Sequence, residues 1–330
     1  MSEWIVVTGG AGYVGSHIAA ALKRDTKYKT LVIDQNAALA PHTHAFADEI
    51  VNDDYASKLA LDVIDVVKPL AIIHCAASSL VTPSVNNPAK YYDNNVCSLL
   101  KFMNHLRDNK HNNVIFSSSS SVYGDGDGVT PSNETELLNP ISPYGRTKQA
   151  GEMILGDYFT AYGINSIAFR YFNAVGASPK LNLGQLPNAS HVIARVMDCL
   201  LADTEFVING TDWPTKDGTC VRDYVHVNDI AVAHVMGISW LINSPGHYVY
   251  NIGSGSGYSV LDILSAVERV TGKKVKTVEG PRRPGDPAWR IADVTKIHKE
   301  LGWAPIHDLD KVVSDAYQWY TSSAYLNMQR

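Results

Sequence analysis

Ser142-Pro143-Tyr144-Gly145-Arg146-Thr147-Lys148 carries a tyrosine and a lysine four residues apart. On a helix that spacing puts the phenol and the ammonium on one face. Pro143 suits the first turn of such a helix, expected to run through Phe159. A cation beside a phenol favours the phenolate, and a tyrosinate near neutrality is a workable general base for a hydroxyl. Taken alone, a Tyr and a Lys are an ordinary surface pair. A third group changes the weighting. Ser117-Ser118-Ser119-Ser120-Ser121-Val122-Tyr123-Gly124 leaves an apolar run at its C-terminal end. In a doubly wound sheet ligands gather at that end, so a hydroxyl there completes a Ser–Tyr–Lys set. Five consecutive serines leave the choice among them open on composition.

The second cluster is Thr8-Gly9-Gly10-Ala11-Gly12-Tyr13-Val14-Gly15, between a strand-like run and a helical one. Glycine permits a tight turn and close approach of backbone to a pyrophosphate, and the helix start offers free N–H groups. A lone glycine pattern is weak, but strand before and helix after is the context that supports it. Asp34 ends the next strand-like run, 19 residues after Gly15. An acid there hydrogen-bonds the ribose hydroxyls and disfavours a 2′-phosphate, which predicts NAD over NADP. Lys148 is then placed to hold the nicotinamide ribose as well as to tune Tyr144.

Both clusters need a scaffold. Ile5–Thr8, Leu31–Asp34, Ala71–Cys75, Val114–Ser117 and Ser166–Arg170 are short apolar runs separated by helical lengths. That alternation predicts an α/β fold, a doubly wound parallel sheet covered on both faces. After about Asn173 the loops lengthen, and Gly and Pro gather at 209–218 and 280–287. Two domains are expected, 1–172 for the dinucleotide and 173–330 for the substrate, with 248–252 a possible return strand.

Composition excludes several classes. The chain has 330 residues, 45% apolar and 18% charged, enough to bury a core without staples. Net charge is −5 with no basic block, so nucleic acid has no footprint. Cys75, Cys97, Cys199 and Cys220 are scattered and read as reduced thiols, with no metal site. No run of 18 apolar residues and no leader-like N-terminus occurs, so a cytoplasmic protein is expected.

The chain resembles the extended short-chain dehydrogenases/reductases and, within them, the UDP-glucose (UDP-galactose) 4-epimerase family. The resemblance runs through the glycine turn with Ser16-His17, Tyr91-Tyr92-Asp93-Asn94-Asn95-Val96, the serine run and Ser142–Gly145. It continues through Arg170-Tyr171-Phe172-Asn173, Asp217-Gly218-Thr219, Val221-Arg222-Asp223-Tyr224-Val225-His226-Val227 and Pro281–Asp286. It implies that Ser119, 25 residues before Tyr144, is the catalytic hydroxyl beside Tyr144 and Lys148. It also implies cofactor contacts from Gly9, Gly12, Tyr13, Val14, Gly15, Asp34, Asn94 and Phe172, and nucleotide-sugar contacts from Asn173, Arg222, Arg283 and Asp286. Arginine suits a diphosphate because its planar fork gives two charge-assisted hydrogen bonds. The reaction implied is inversion at C4 of a UDP-hexose through a transient 4-keto sugar, with NAD bound and regenerated. Relatives pair as homodimers through helices that would here begin near Pro88 and Pro143.

The chain departs from the family pattern at several points. The segment after Asp34 is short, and Asp48 or Glu49, with Glu49 preferred, stands for the usual adenine-contacting acid. Ala76-Ala77-Ser78-Ser79 replaces a segment that often carries a lysine, leaving Ala76 as the cofactor contact, and 174–188 is trimmed. Arg290, four after Asp286, occupies the position that in relatives sets the room around the sugar C2. Three readings stand: it narrows the pocket against N-acetylhexosamines, it meets the carboxylate of a uronate, or it faces solvent. UDP-pentose, UDP-uronate and UDP-N-acetylhexosamine epimerases are therefore alternatives. A 4,6-dehydratase would need an acid and a base where Ser120 and Ser121 stand. A non-catalytic dinucleotide sensor would not need Tyr144, Lys148 and the arginines together, and a plain alcohol dehydrogenase would consume NAD.

Overall fold

The computed structural model describes residues 3–187, 189–283 and 287–328. Six strands alternate with helices in the first half: β1 (Trp4–Thr8), β2 (Lys29–Ile33), β3 (Glu49–Val51), β4 (Ala71–His74), β5 (Asn113–Ser119) and β6 (Asn165–Tyr171). The chain continues through β7 (Asn173–Val175), β8 (Phe206–Asn209), β9 (Val221–His226), β10 (His247–Ile252), β11 (Gly257–Ser259), β12 (Thr277–Gly280) and β13 (Trp289–Arg290). A seven-stranded parallel sheet runs β10-β6-β5-β4-β1-β2-β3. The order reverses direction beside β1, which opens a crevice at the C-terminal strand ends.

Alternation along each strand explains the two faces. Ile5, Val7, Ile73, Ile115 and Phe169 pack under helices Tyr13–Asp25 and Val227–Asn243. Val6, Leu31, Ile72, Val114 and Phe116 face the other way, under Lys58–Val67, Ser98–Asp108 and Pro143–Tyr162. Period-two sidedness with both sides apolar is what a doubly covered parallel sheet requires. Each fully buried large side chain contributes roughly 1.5–3 kcal/mol relative to exposure. A separate core gathers Met197, Ile263, Val313 and Trp319 beyond the sheet, with β7, β9, β11 and β13 forming a second, smaller sheet.

Helix Pro143–Tyr162 matters most for the site. Ser142 Oγ accepts from Gly145 N at 3.1 Å, Pro143 opens the first turn, and Gly163 at φ 71 closes it. An N-cap of this kind stabilises a helix by about 1 kcal/mol. The helix expected from Pro88 is interrupted: Pro88–Tyr92 and Ser98–Asp108 are joined by a π-turn, Asp93–Cys97. The wider turn brings buried Asn95 to Ser78, whose carbonyl accepts at 3.0 Å, and to Thr147 Oγ1, also 3.0 Å. Such bulges recur at functional positions.

Candidate active site

One continuous cleft crosses the C-terminal ends of the parallel strands, from the glycine turn past Tyr144 to Arg222. At its first end Gly9 N donates to Ile33 O at 2.8 Å, and Asp34 Oδ2 accepts from Ala11 N at 3.1 Å. Gly9 has φ 70, and a Cβ there would lie 2.6 Å from Ala76 N. A Cβ on Gly15 would lie 2.2 Å from Gly9 O. The turn is therefore packed backbone on backbone. Helix Tyr13–Asp25 begins with Gly12 as its cap and no side-chain cap bond. Its opening N–H groups and dipole face a cleft that also holds Val14 and Asp34, as a pyrophosphate with a ribose diol requires. Tyr13 offers only backbone there, because its hydroxyl donates to Gly176 O at 2.7 Å.

Glu49 is a correction. It starts β3 opposite Leu31, is exposed, and is not among the cleft residues. In a parallel sheet ligands lie at the C-terminal strand ends, and Glu49 is at the wrong end of its strand. Asp53 and Asp54, which follow the other end of β3, line the cleft instead. Asp48 is also turned elsewhere, accepting from Thr30 N at 2.9 Å. The strand boundary was the missing signal.

Deeper in, the structure separates the five serines. Ser117 Oγ lies 3.1 Å from Cys75 Sγ and 2.9 Å from Tyr171 Oη. Ser118 Oγ donates to buried Glu152 at 2.5 Å. Ser119 ends β5, heads the tight turn Ser120–Val122 by accepting from Ser121 N at 3.2 Å, and hydrogen-bonds the Tyr144 phenol. Lys148 is buried, and its Nζ donates to Ser117 O at 2.7 Å and sits 5.9 Å from the centre of the Tyr144 ring. Burial pushes the phenol up to about 12, against the hydrogen bond from Ser119. Burial also brings the Lys148 ammonium down to about 8, with Cys75 and Glu152 pulling the other way. Desolvation is the largest cause at both groups. Ser119, Tyr144 and Lys148 do converge.

Ala76, Asn94 and Phe172 line the same stretch of cleft. Asn94 Nδ2 donates to Ser78 Oγ at 3.2 Å, and Phe172 is buried against Tyr123. Asn173 Nδ2 donates to Asp223 O at 2.9 Å, which ties β7 to β9 below the far end. Arg222 lines that end; Nη1 donates to Val221 O at 2.8 Å, and Nη2 is buried without a protein partner. A buried, unanswered guanidinium donor at a cleft wall fits an anionic ligand. Arg283 lines the cleft from an exposed loop. Asp286 lies outside the described residues.

Of the three readings of Arg290, the solvent-facing one is corrected. The residue lines the cleft but does not face solvent, being 6% exposed. Its Nη1 donates to Ser132 Oγ and, at 3.1 Å, to Glu136 Oε1, and its Nη2 donates to Gly124 O. Glu136 pairs with the Arg290 charge, while Nε is buried without a protein partner. Among the described residues no metal-binding group occurs, and no helix is long and apolar enough to cross a membrane.

Comparison with known proteins gives the family and the fold. Residues 5–253 match the model of the NAD dependent epimerase/dehydratase family. The UDP-glucose 4-epimerase of Lactobacillus helveticus is 38% identical over 327 residues, covering 96% of this chain and 97% of the relative. Among solved structures, UDP-glucose 4-epimerase from Stenotrophomonas maltophila, with bound NAD and formylated UDP-arabinopyranose, superposes with TM-score 0.91 at 33% identity. It spans 96% of this chain and 97% of its own. The Brucella ovis UDP-glucose 4-epimerase in complex with NAD gives 0.89 at 37% identity over 96% of this chain and 98% of its own.

Proposed function

This chain belongs to the NAD dependent epimerase/dehydratase family, among the UDP-glucose 4-epimerases, and from that premise we propose how its residues act. It is an isomerase that inverts C4 of a UDP-hexose, UDP-glucose to UDP-galactose and back. When bound, NAD would supply a hydride acceptor and donor and a positive charge near the site. Tyr144 takes the proton from the sugar O4 and later returns it, while Ser119 holds that oxygen. Lys148 holds the nicotinamide ribose and favours the phenolate that burial opposes. Gly9, Gly12, Val14, Gly15 and Asp34 seat the dinucleotide, with Ala76, Asn94 and Phe172 around its nicotinamide half. Arg222, Arg283, Asp286 and Asn173 hold the nucleotide, so a 4-keto sugar can turn over without leaving.

The observation that carries this reading is a Ser–Tyr–Lys set midway along one cleft, with a backbone cradle at one end and an unanswered guanidinium donor at the other. A dehydratase would need an acid and a base at Ser120 and Ser121. The Arg290–Glu136 pair speaks against a uronate. The first 172 residues serve the cofactor and the rest the nucleotide sugar, with β10 returning to the first sheet. The protein works in the cytoplasm with its cysteines reduced. It works as a homodimer through the helices at 88–108 and 143–162, where Leu100 and Met153 are 42% and 63% exposed. The test is NAD-loaded protein given UDP-galactose, with UDP-glucose separated and quantified by chromatography and NADH followed by absorbance. Product without net NAD consumption supports the assignment; stoichiometric NAD consumption, or none of either, rejects it.

A further inference from the structure

Among the described residues, the hydrogen-bond acceptors of the Arg290 guanidinium lie in one loop, and its Nε is buried without a partner. Gly124 O, Ser132 Oγ and Glu136 Oε1 accept from its two terminal nitrogens. Gly126 closes on the same group: it has φ 65, and a Cβ there would lie 2.6 Å from Nη2 and 2.8 Å from Cζ. The loop is therefore moulded around the guanidinium. Its base is drawn shut where Asn139 N donates to Val122 O at 3.1 Å. Its far arm is stitched beside β13, with Ser132 N donating to Ile291 O at 2.9 Å and Asp293 N to Ser132 O at 2.8 Å.

The loop departs from the catalytic turn. Ser119 heads the turn Ser120–Val122, and Tyr123 and Gly124 follow at once. The Tyr123 ring lies under two guanidiniums, 5.8 Å from Arg290 and 4.9 Å from Arg170, and its hydroxyl donates to Asn251 Oδ1 at 2.6 Å. Force on the turn is thus carried from Arg290 through Gly124 and Tyr123 to Ser119.

We propose that Arg290 is a positioning residue: it braces the 124–136 loop and, through it, the turn that aims Ser119 at Tyr144. This rests on the function proposed above. It differs from a size gate at the sugar. Shortening a gate opens room and leaves the chemistry alone. Shortening a brace strands Gly124 O, Ser132 Oγ and the half-buried Glu136 carboxylate and lets the catalytic hydroxyl drift.

Arg290→Ala, Arg290→Lys and Gly126→Val separate the two. Each is assayed with UDP-galactose and UDP-N-acetylgalactosamine, for UDP affinity by calorimetry, and for proteinase K cleavage within 124–136. The brace predicts that Arg290→Ala lowers kcat for UDP-galactose by about 30-fold or more, with UDP affinity within about threefold. It predicts faster loop cleavage and no new N-acetyl turnover. Gly126→Val should repeat this with Arg290 intact, and Arg290→Lys should recover about tenfold of the lost kcat. The rising limb of kcat against pH should also move upward, because the Tyr144 phenol loses its hydrogen bond from Ser119. A purely scaffolding residue would leave that limb in place. Retained UDP-galactose turnover with new N-acetyl turnover, or a loop no easier to cleave, overturns the brace. If Arg290→Ala does not fold, the other two variants decide by the same criteria. If wild-type protein epimerises no UDP-hexose, the proposed function falls, and loop cleavage alone then judges the brace.

Discussion

The two ends of the cleft are held by different forces. At the dinucleotide end, neighbouring strands and the glycine turn fix one another by backbone hydrogen bonds and backbone contact, as where Gly9 N meets Ile33 O. At the sugar end, loops are pinned by side-chain charges. Arg290 holds 124–136, and Arg282 stacks on Trp213 at 4.3 Å while its Nε bonds Asp212 at 2.7 Å. Backbone geometry tolerates side-chain change; a charge pinning a loop does not.

The midpoint should be the most sensitive position. Tyr144→Phe is expected to lower kcat by about a thousandfold or more, the range of general acid–base catalysis, with NAD and UDP affinities within about threefold. Steady-state rates and calorimetry check it. The comparison would break at the buried Glu152–Arg170 pair if sheet geometry alone held the floor. Arg170 Nη2 lies 2.7 Å from Glu152 Oε2, both nearly inaccessible. Arg170→Met should destabilise the fold by about 3–5 kcal/mol in urea, because it leaves a carboxylate buried and unpaired. Adding Glu152→Met should restore part of that.

At the far end Arg222→Met should weaken UDP about 10- to 100-fold while leaving NAD binding unchanged. Equal losses for both ligands would erase the distinction between the two ends. The smallest effect is on pH dependence. Burial raises the Tyr144 phenol to about 12, so kcat/KM should climb with pH as the phenolate forms. The climb should flatten near pH 8, where Lys148, lowered to about 8, loses its charge. Lys148→Met removes the cation, disfavours the phenolate and moves the rising limb to higher pH.

Much of the first end was legible because its signals are local. Glycine spacing, an acid at a strand end and two residues four apart on a helix depend on neighbours within a few positions. The failures share the opposite cause. Glu49 stood for the adenine-contacting acid of the family that the chain resembles, but the strand runs Glu49–Val51 and presents Asp53 and Asp54 to the cleft. The burial of Tyr144 and Lys148 likewise depends on packing around the cleft, which their spacing does not carry.

The sequence by itself determined the doubly wound sheet, the dinucleotide preference and the Tyr144–Lys148 pair, because hydrophobic period and short motifs carry them. Only the tertiary structure decided which serine meets the phenol, since adjacent residues of a strand end point to opposite sides. It also decided which groups Arg290 bonds. Its partners stand 154 to 166 positions away, a separation that only chain folding can close.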